Sequence, residues 1–409
     1  MKELTVYLHG EKVGLLAQAQ TGRMTFTYAP EWLDGPHARP LSHSLPLRKE
    51  TFDERECIGF FGGLLPEEGN REIVARNLGI TSRNDFAMLR EIGGECAGSV
   101  SLLPVGSEPA PVSNAYESIS EAQLIEILDQ LPKRPLLAGR TEIRLSLAGA
   151  QNKVALRVDS DAYSIPLHES PSTHILKPES ERFPGLVDNE VCCLELARKA
   201  GLSACEAVAK DYGKHRCLLI SRYDRSRRGD AILRLHQEDF CQALGIPSRT
   251  KYQTEGGPSL KQCFDLIRSA SAAPARDLIL LFNAVLFNYF IGNGDAHGKN
   301  FSLLYSLPDE PFSVRLAPLY DLVSTASYPE IAQSMAMRIG KQWHPDELRV
   351  QNWEHYWKEI GFSANQAKRQ SLQFADLVAS LAESPRDPVQ QKIHGVIQER
   401  TQRLRKILD

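Results

Sequence analysis

Alternating apolar and polar positions dominate the first hundred residues. Leu4/Val6/Leu8, Val13/Leu15, Met24/Phe26/Tyr28 and Leu45/Leu47 fall on every second position, the period of half-buried antiparallel strands. The spacing then lengthens to a helical period over 68–79 and 84–92 before Ser99-Val-Ser-Leu-Leu-Pro104 returns to a strand. The run 104–113, rich in Pro, Gly and Ser, is the linker candidate. A helix over 119–131 leads into a second mixed region with strands near 143–147, 153–158 and 173–177, a helix over 187–200 and a strand over 215–221. Beyond 236 the pattern is helical apart from a hairpin over 301–317, and three amphipathic helices (345–360, 364–384 and 387–407) close the chain.

Composition narrows the class. A chain of 409 residues with 42% hydrophobic content can bury a large core and divides into two or three units. A net charge of −3 announces no nucleic-acid surface, and the clusters Arg222/Arg225/Arg227/Arg228 and Arg400/Arg403/Arg405/Lys406 read as solvated faces. The eight cysteines form no CxxC pair and no cluster with His, as expected of small buried residues in a reducing cytosol. The N-terminus alternates like a strand and carries an early acid, unlike a signal peptide, and the apolar stretch 278–292 is too short for a bilayer. These features predict a soluble, cytoplasmic protein with no membrane contact.

The densest chemistry lies at Asp295-Ala-His-Gly-Lys-Asn300, followed by Asp321. It comes after an apolar helix (277–292) and is separated from Asp321 by the hairpin. In a phosphotransferase the first Asp accepts a hydroxyl proton, while Asn and the later Asp offer hard oxygen ligands to Mg²⁺. An ordinary polar turn followed by a helix-capping Asp would have the same residues.

Upstream, Ser146-Leu-Ala-Gly-Ala-Gln-Asn-Lys153 joins two apolar segments through small residues that let main-chain N–H groups approach phosphates; a plain hairpin reads the same way. Lys177 ends a strand on the face of Ile175, and Glu190 shares a helix stripe with Leu194 and Ala197. An inward carboxylate opposite a strand lysine orients that lysine toward phosphates in kinases, although an acid in a first helical turn also suits the macrodipole. Leu218-Leu-Ile-Ser-Arg-Tyr-Asp224 reads as a strand running into a hinge, with main chain of Ser221 and Tyr223 for adenine and Asp224 for ribose, or as a simple edge strand.

The order of these parts, together with Tyr28-Ala-Pro-Glu-Trp-Leu33, Arg39-Pro-Leu-Ser-His-Ser-Leu-Pro-Leu47, Phe60-Phe-Gly-Gly-Leu-Leu-Pro66, Gln237-Glu-Asp239, Lys251-Tyr-Gln-Thr-Glu-Gly-Gly-Pro258, Gly294-Asp-Ala-His-Gly-Lys-Asn-Phe-Ser302 and Pro318-Leu-Tyr-Asp321, resembles the HipA-type serine/threonine kinase toxins in their long form. The resemblance implies an α+β, protein-kinase-like (PI3K-like) two-lobed fold with an N-terminal mixed β/α domain (1–105), a linker (106–118), a kinase N-lobe (119–235) and an all-helical C-terminal lobe (236–409). It implies ATP and Mg²⁺ as cofactors, Asp295 as general base and Asn300 and Asp321 as metal ligands. ATP contacts would come from Ala148, Gly149, Ala150, Gln151, Asn152, Lys153, Lys177, Ser221, Arg222, Tyr223, Asp224, His297, Lys299, Asn300, Tyr320 and Asp321, with Glu190 pairing Lys177. It also implies inactivating autophosphorylation at Ser146, although a serine there also reads as a buried strand residue satisfied by main chain. Its implied partners are an aminoacyl-tRNA synthetase as substrate (glutamyl-tRNA synthetase expected), a HipB-like DNA-binding antitoxin and operator DNA reached through that complex. A phosphoinositide-like or small-molecule kinase is the rival implied by Gly-Asp-x-His-x-x-Asn alone.

Overall fold

Lys2–Leu8 takes the middle of the first sheet because its last five residues are all buried. It pairs antiparallel with Glu11–Gln18 on one side and Val100–Pro104 on the other, and Met24–Tyr28 adds outside Glu11–Gln18. Helix Glu54–Gly63, opened by a capping box between Asp53 and Glu56, packs on Met24–Tyr28. Phe26, Phe52, Phe60 and Phe61 fill the core between them, with Phe26 and Phe61 centroids 5.4 Å apart.

The computed structural model describes residues 1–109, 115–140, 142–229 and 231–409; residues 110–114 of the expected linker (106–118) therefore lie outside the described residues. The chain forms two compact units, the first of 1–178, 210–249 and 303–313, the second of 179–209, 250–302 and 314–409. Their limits do not coincide with the expected borders at 105 and 235.

In the first unit, Tyr116–Ile119, Ala162–Pro166, Val154–Asp159, His174–Pro178 and His215–Ser221 lie side by side in that order. Two expected strands are absent. Around Leu45 only an isolated bridge to Ser42 forms, because the Leu45 N–H closes a turn on the Ser42 carbonyl and Pro46 has no N–H to extend a ladder. Segment 143–147 makes single bridges to two different partners, Ile143 to His168 and Leu145 to Glu95, so no continuous ladder builds.

The second unit is organised around Pro274–Ile291, which is 18 residues long and, on length and composition, apolar enough to cross a bilayer. Here it is a core helix. Leu260–Ala270, Ala364–Leu381 and Pro388–Leu408 pack on it, and Phe282 stacks on Phe362 at 5.0 Å. Its buried Asp277 is held by Arg315 at 2.8 and 3.0 Å, by the Ser271 hydroxyl and by the Leu316 N–H. Gly292, with φ of 68°, ends the helix in the left-handed region that glycine adopts without strain. The three C-terminal helices form at Val350–Glu359, Ala364–Leu381 and Pro388–Leu408. The region beyond 236 is not wholly helical, since Gln237–Asp239, Ser302–Tyr305 and Val314–Leu316 are strands.

The two basic clusters are not uniformly solvated. Arg222, Arg225 and Arg400 are buried, whereas Arg227 and Arg228 are exposed. Periodicity could not separate them, because the buried ones also need acids distant in sequence, Glu95 for Arg222 and Arg225 and Asp346 for Arg400. All eight cysteines are buried and free, and burial pushes the thiols of Cys57, Cys96, Cys192 and Cys263 up to about 12.

Candidate active site

In the second unit the Asp295 loop hangs from the end of the core helix through a relay of amides. Asn293 donates to the Asn288 side-chain oxygen at 2.8 Å, and its own oxygen accepts from the Asp295 N–H at 3.1 Å. The Thr325 hydroxyl accepts from the Gly294 N–H at 2.7 Å and donates to the Gly292 carbonyl at 3.0 Å. Gly294 must be small here, since a Cβ would meet the Ser334 carbonyl oxygen at 2.9 Å. Asp295 is half-exposed at the tip. Tyr252 donates its phenol to the carboxylate at 2.5 Å, and His297 Nε2 lies 3.9 Å away.

Asn300 donates its amide to the Asp295 main-chain carbonyl at 3.0 Å, so its oxygen is the acceptor of that side chain. The Tyr320 hydroxyl sits 2.6 Å from both the Lys299 carbonyl and the Ser302 hydroxyl. Those two contacts pin the segment bearing Asp321 to the loop bearing Asn300. Asp321 itself has φ of 50°, a left-handed conformation that costs a non-glycine residue energy and is retained where surroundings over-determine it. A carboxylate and an amide oxygen form a hard-oxygen pair suited to Mg²⁺ rather than to zinc. Among the described residues no three His, Cys, Asp or Glu side chains gather into a metal cluster. Glu190 is buried in this unit, within Leu186–Lys199.

The other candidate residues lie in the first unit. Ser146 is fully buried, its hydroxyl donating to the Leu64 carbonyl at 2.7 Å and its N–H to the Glu95 carbonyl at 2.8 Å. The following loop folds onto residues 66–70: the Glu67 N–H donates to the Gly149 carbonyl and the Asn70 amide to that of Ala150. Gly149 has φ of 103°, and a Cβ there would meet Lys153 Nζ at 2.7 Å. Lys153 donates that ammonium to the Ala148 carbonyl at 2.5 Å, so the loop wraps around its own lysine. Lys177 is buried in His174–Pro178, opposite Leu218 of the neighbouring strand.

At the hinge, Ser221 contacts His174 and the Tyr223 phenol donates to Gln237. The Arg222 and Asp224 side chains lie in an internal charge network. Both Asp224 oxygens are engaged, by Arg222 at 3.0 and 2.8 Å, by Arg225 at 2.9 Å and by the Gly98 N–H at 2.9 Å. Glu95 completes the cluster, accepting from Arg225 at 2.7 Å, Arg222 at 3.3 Å and Ser172. Burial by itself would raise both acids, but the surrounding guanidiniums overcome it and hold both below their ordinary range. A ribose contact at Asp224 would have to share a carboxylate that this network already engages.

Tyr252, Asn288, Asn293 and Thr325 were not among the expected site residues. Asn288 read only as a polar interruption of an apolar helix, and nothing local in the sequence connects Tyr252 or Thr325 to Asp295.

Two family models match the chain: the HipA N-terminal domain over residues 4–103 and the HipA-like C-terminal domain over 145–384. The chain belongs to the HipA kinase family. The putative kinase Y4mE of Sinorhizobium fredii is 44% identical over 384 residues, covering 93% of this chain and 90% of that protein. The serine/threonine-protein kinase toxin HipA of Shewanella oneidensis is 28% identical over 380 residues, covering 89% and 85% of the two chains. A solved structure of Shewanella HipA, in complex with HipB and its operator DNA, superposes with a TM-score of 0.85 at 25% identity over 99% of this chain and 98% of that one. The protein is thus a HipA-type serine/threonine kinase with a kinase-like fold of mixed helices and sheets.

Proposed function

We propose that this HipA-type kinase transfers the γ-phosphoryl group of ATP, with Mg²⁺, to a serine or threonine of a protein. Asp295 takes the hydroxyl proton, and Asn300 and Asp321 hold the metal against the triphosphate. Lys177 and the loop 148–153 engage phosphate oxygens, His297 and Lys299 offset the charge of the transferred group, and main chain at Ser221 and Tyr223 meets adenine. The observation that carries this reading is the tethering of the Asp321 segment to the Asn300 loop by the Tyr320 hydroxyl, with the Asn300 amide nitrogen anchored on the Asp295 carbonyl. Phosphoryl transfer asks for positioning and charge stabilisation more than covalent chemistry, and a braced loop supplies both.

Within this reading the acceptor is an aminoacyl-tRNA synthetase, glutamyl-tRNA synthetase by family, and its phosphorylation stalls tRNA charging and arrests growth. A HipB-like antitoxin neutralises the kinase and carries it to operator DNA. Phosphorylation at Ser146 shuts the enzyme off. That hydroxyl is buried against the Leu64 carbonyl, so a group carrying about −1.5 to −2 charges cannot occupy the same place and would keep the loop expelled. The test is incubation with labelled ATP and cell lysate, followed by phosphoproteomics, comparing the intact chain with Asp321→Asn. Loss of protein labelling at unchanged melting temperature supports the proposal; labelling of small molecules alone refutes it.

A further inference from the structure

A cavity of about 550 Å³, its open mouth included, lies wholly inside the second unit, under the Asp295 loop. It has room for about three waters or a ligand of similar bulk. Val285, Phe301, Met335 and Met337 are among its apolar lining, and Gly292, Asn293 and Gly294 contribute the side nearest the catalytic aspartate.

Besides the amides of Asn288, Asn293 and Gln333 and the Thr325 hydroxyl, two polar groups of the lining stand out. Arg400 is buried, and its Nη1 has no hydrogen-bond partner. Its ion pair, to Asp346 at 3.5 Å, is with a carboxylate that is 60% exposed. Its guanidinium lies 5.5 Å from the ring centroid of Tyr289, whose buried hydroxyl meets no partner other than that guanidinium. Burial raises the Tyr289 pKa to about 12 against the pull of Arg400 and Arg403, so the phenol keeps its proton and is a donor. Two donors thus converge, one of them charged, where the lining beside them offers only neutral oxygens, those of Asn288, Asn293, Thr325 and Gln333. Leaving a buried donor unmet is costly, and more so for a charge.

We propose that this cavity is a binding site for a short apolar carboxylate. The anionic head would accept from Arg400 and Tyr289, and the alkyl tail would lie against Val285, Phe301 and the methionines. Water could meet the hydrogen bonds but would bring no charge and would sit against an apolar wall. Because the Asn293 side chain holds the Asp295 N–H, an occupant stiffens the loop from beneath.

The test is saturation-transfer NMR and thermal melting of the full chain with butyrate, butyramide or butanol at matched ionic strength. It reads binding alone, so its failure is separate from any failure of the kinase reading. Butyrate is expected to bind at millimolar concentration and raise the melting temperature, with butyramide weaker by roughly tenfold or more. Arg400→Gln abolishes the difference; should that variant not fold, Tyr289→Phe, which keeps the ring, weakens butyrate alone. Equal binding of butyrate and butyramide, no saturation transfer at all, or butyrate affinity unchanged in Tyr289→Phe and Arg400→Gln overturns the proposal.

Discussion

Replacing Asp224 by Asn separates a structural role from a nucleotide-binding one. The carboxylate lies in a network with Glu95, Arg222, Arg225 and Arg234, where two acids face three guanidiniums. Asparagine keeps the volume and one acceptor for the Gly98 N–H. It removes the charge that Arg222 and Arg225 contact at 2.8 and 2.9 Å, and it turns an amide donor toward a donor. Breaking a buried ion pair from one side costs about 3–5 kcal/mol, and the retained Gly98 bond places this case near the lower figure. Against a typical domain stability of about 5–15 kcal/mol, that loss is readily measured by urea denaturation followed through tryptophan fluorescence. The acid limb gives a second reading. The Asp224 pKa is lowered in the folded state, so its contribution is present above the ordinary value of 3.8 and lost as pH falls below it. The Asn variant should therefore lose less stability than the wild type on going to low pH. A variant within about 1 kcal/mol of wild type but with weakened ATP binding would refute the structural assignment and restore the ribose contact.

Further predictions concern a second buried acid and the loop relay. Glu238 has no cation beside it and accepts from Ser42, the His43 N–H and Tyr305; burial pushes its pKa up to about 7 despite those bonds. The unfolded chain releases this proton near 4.5, so the folded state binds more protons between there and 7, and stability falls by roughly 3 kcal/mol as pH rises through that window. Glu238→Gln should flatten that slope in denaturation at several pH values; an unchanged slope would show that another group titrates. Asn288→Ala removes the amide beneath Asn293, and both kcat and stability should fall, the latter by about 1–3 kcal/mol. Wild-type kcat in that variant would mean that Thr325 alone positions the loop.

The sequence carried the periodic elements and the local motifs by itself. The core helix over 274–291, its glycine stop, the strand His215–Ser221 and the three C-terminal helices follow from apolar spacing and end signals, which depend on neighbours a few residues away. The Asp295 loop and Asp321 were legible for the same reason, since hard-oxygen chemistry at short spacing is visible in a string. What tertiary structure decided was which polar residues face inward and whom they meet. Asp224 reads in the string only as a ribose contact, and the fold surrounds it with Arg222, Arg225 and the Gly98 N–H, 126 residues away. Tyr252 reached Asp295 across 43 residues, and Arg400 looked solvated until the fold placed it under Tyr289. Burial of a charge depends on partners that only long-range folding brings, and no local pattern records them.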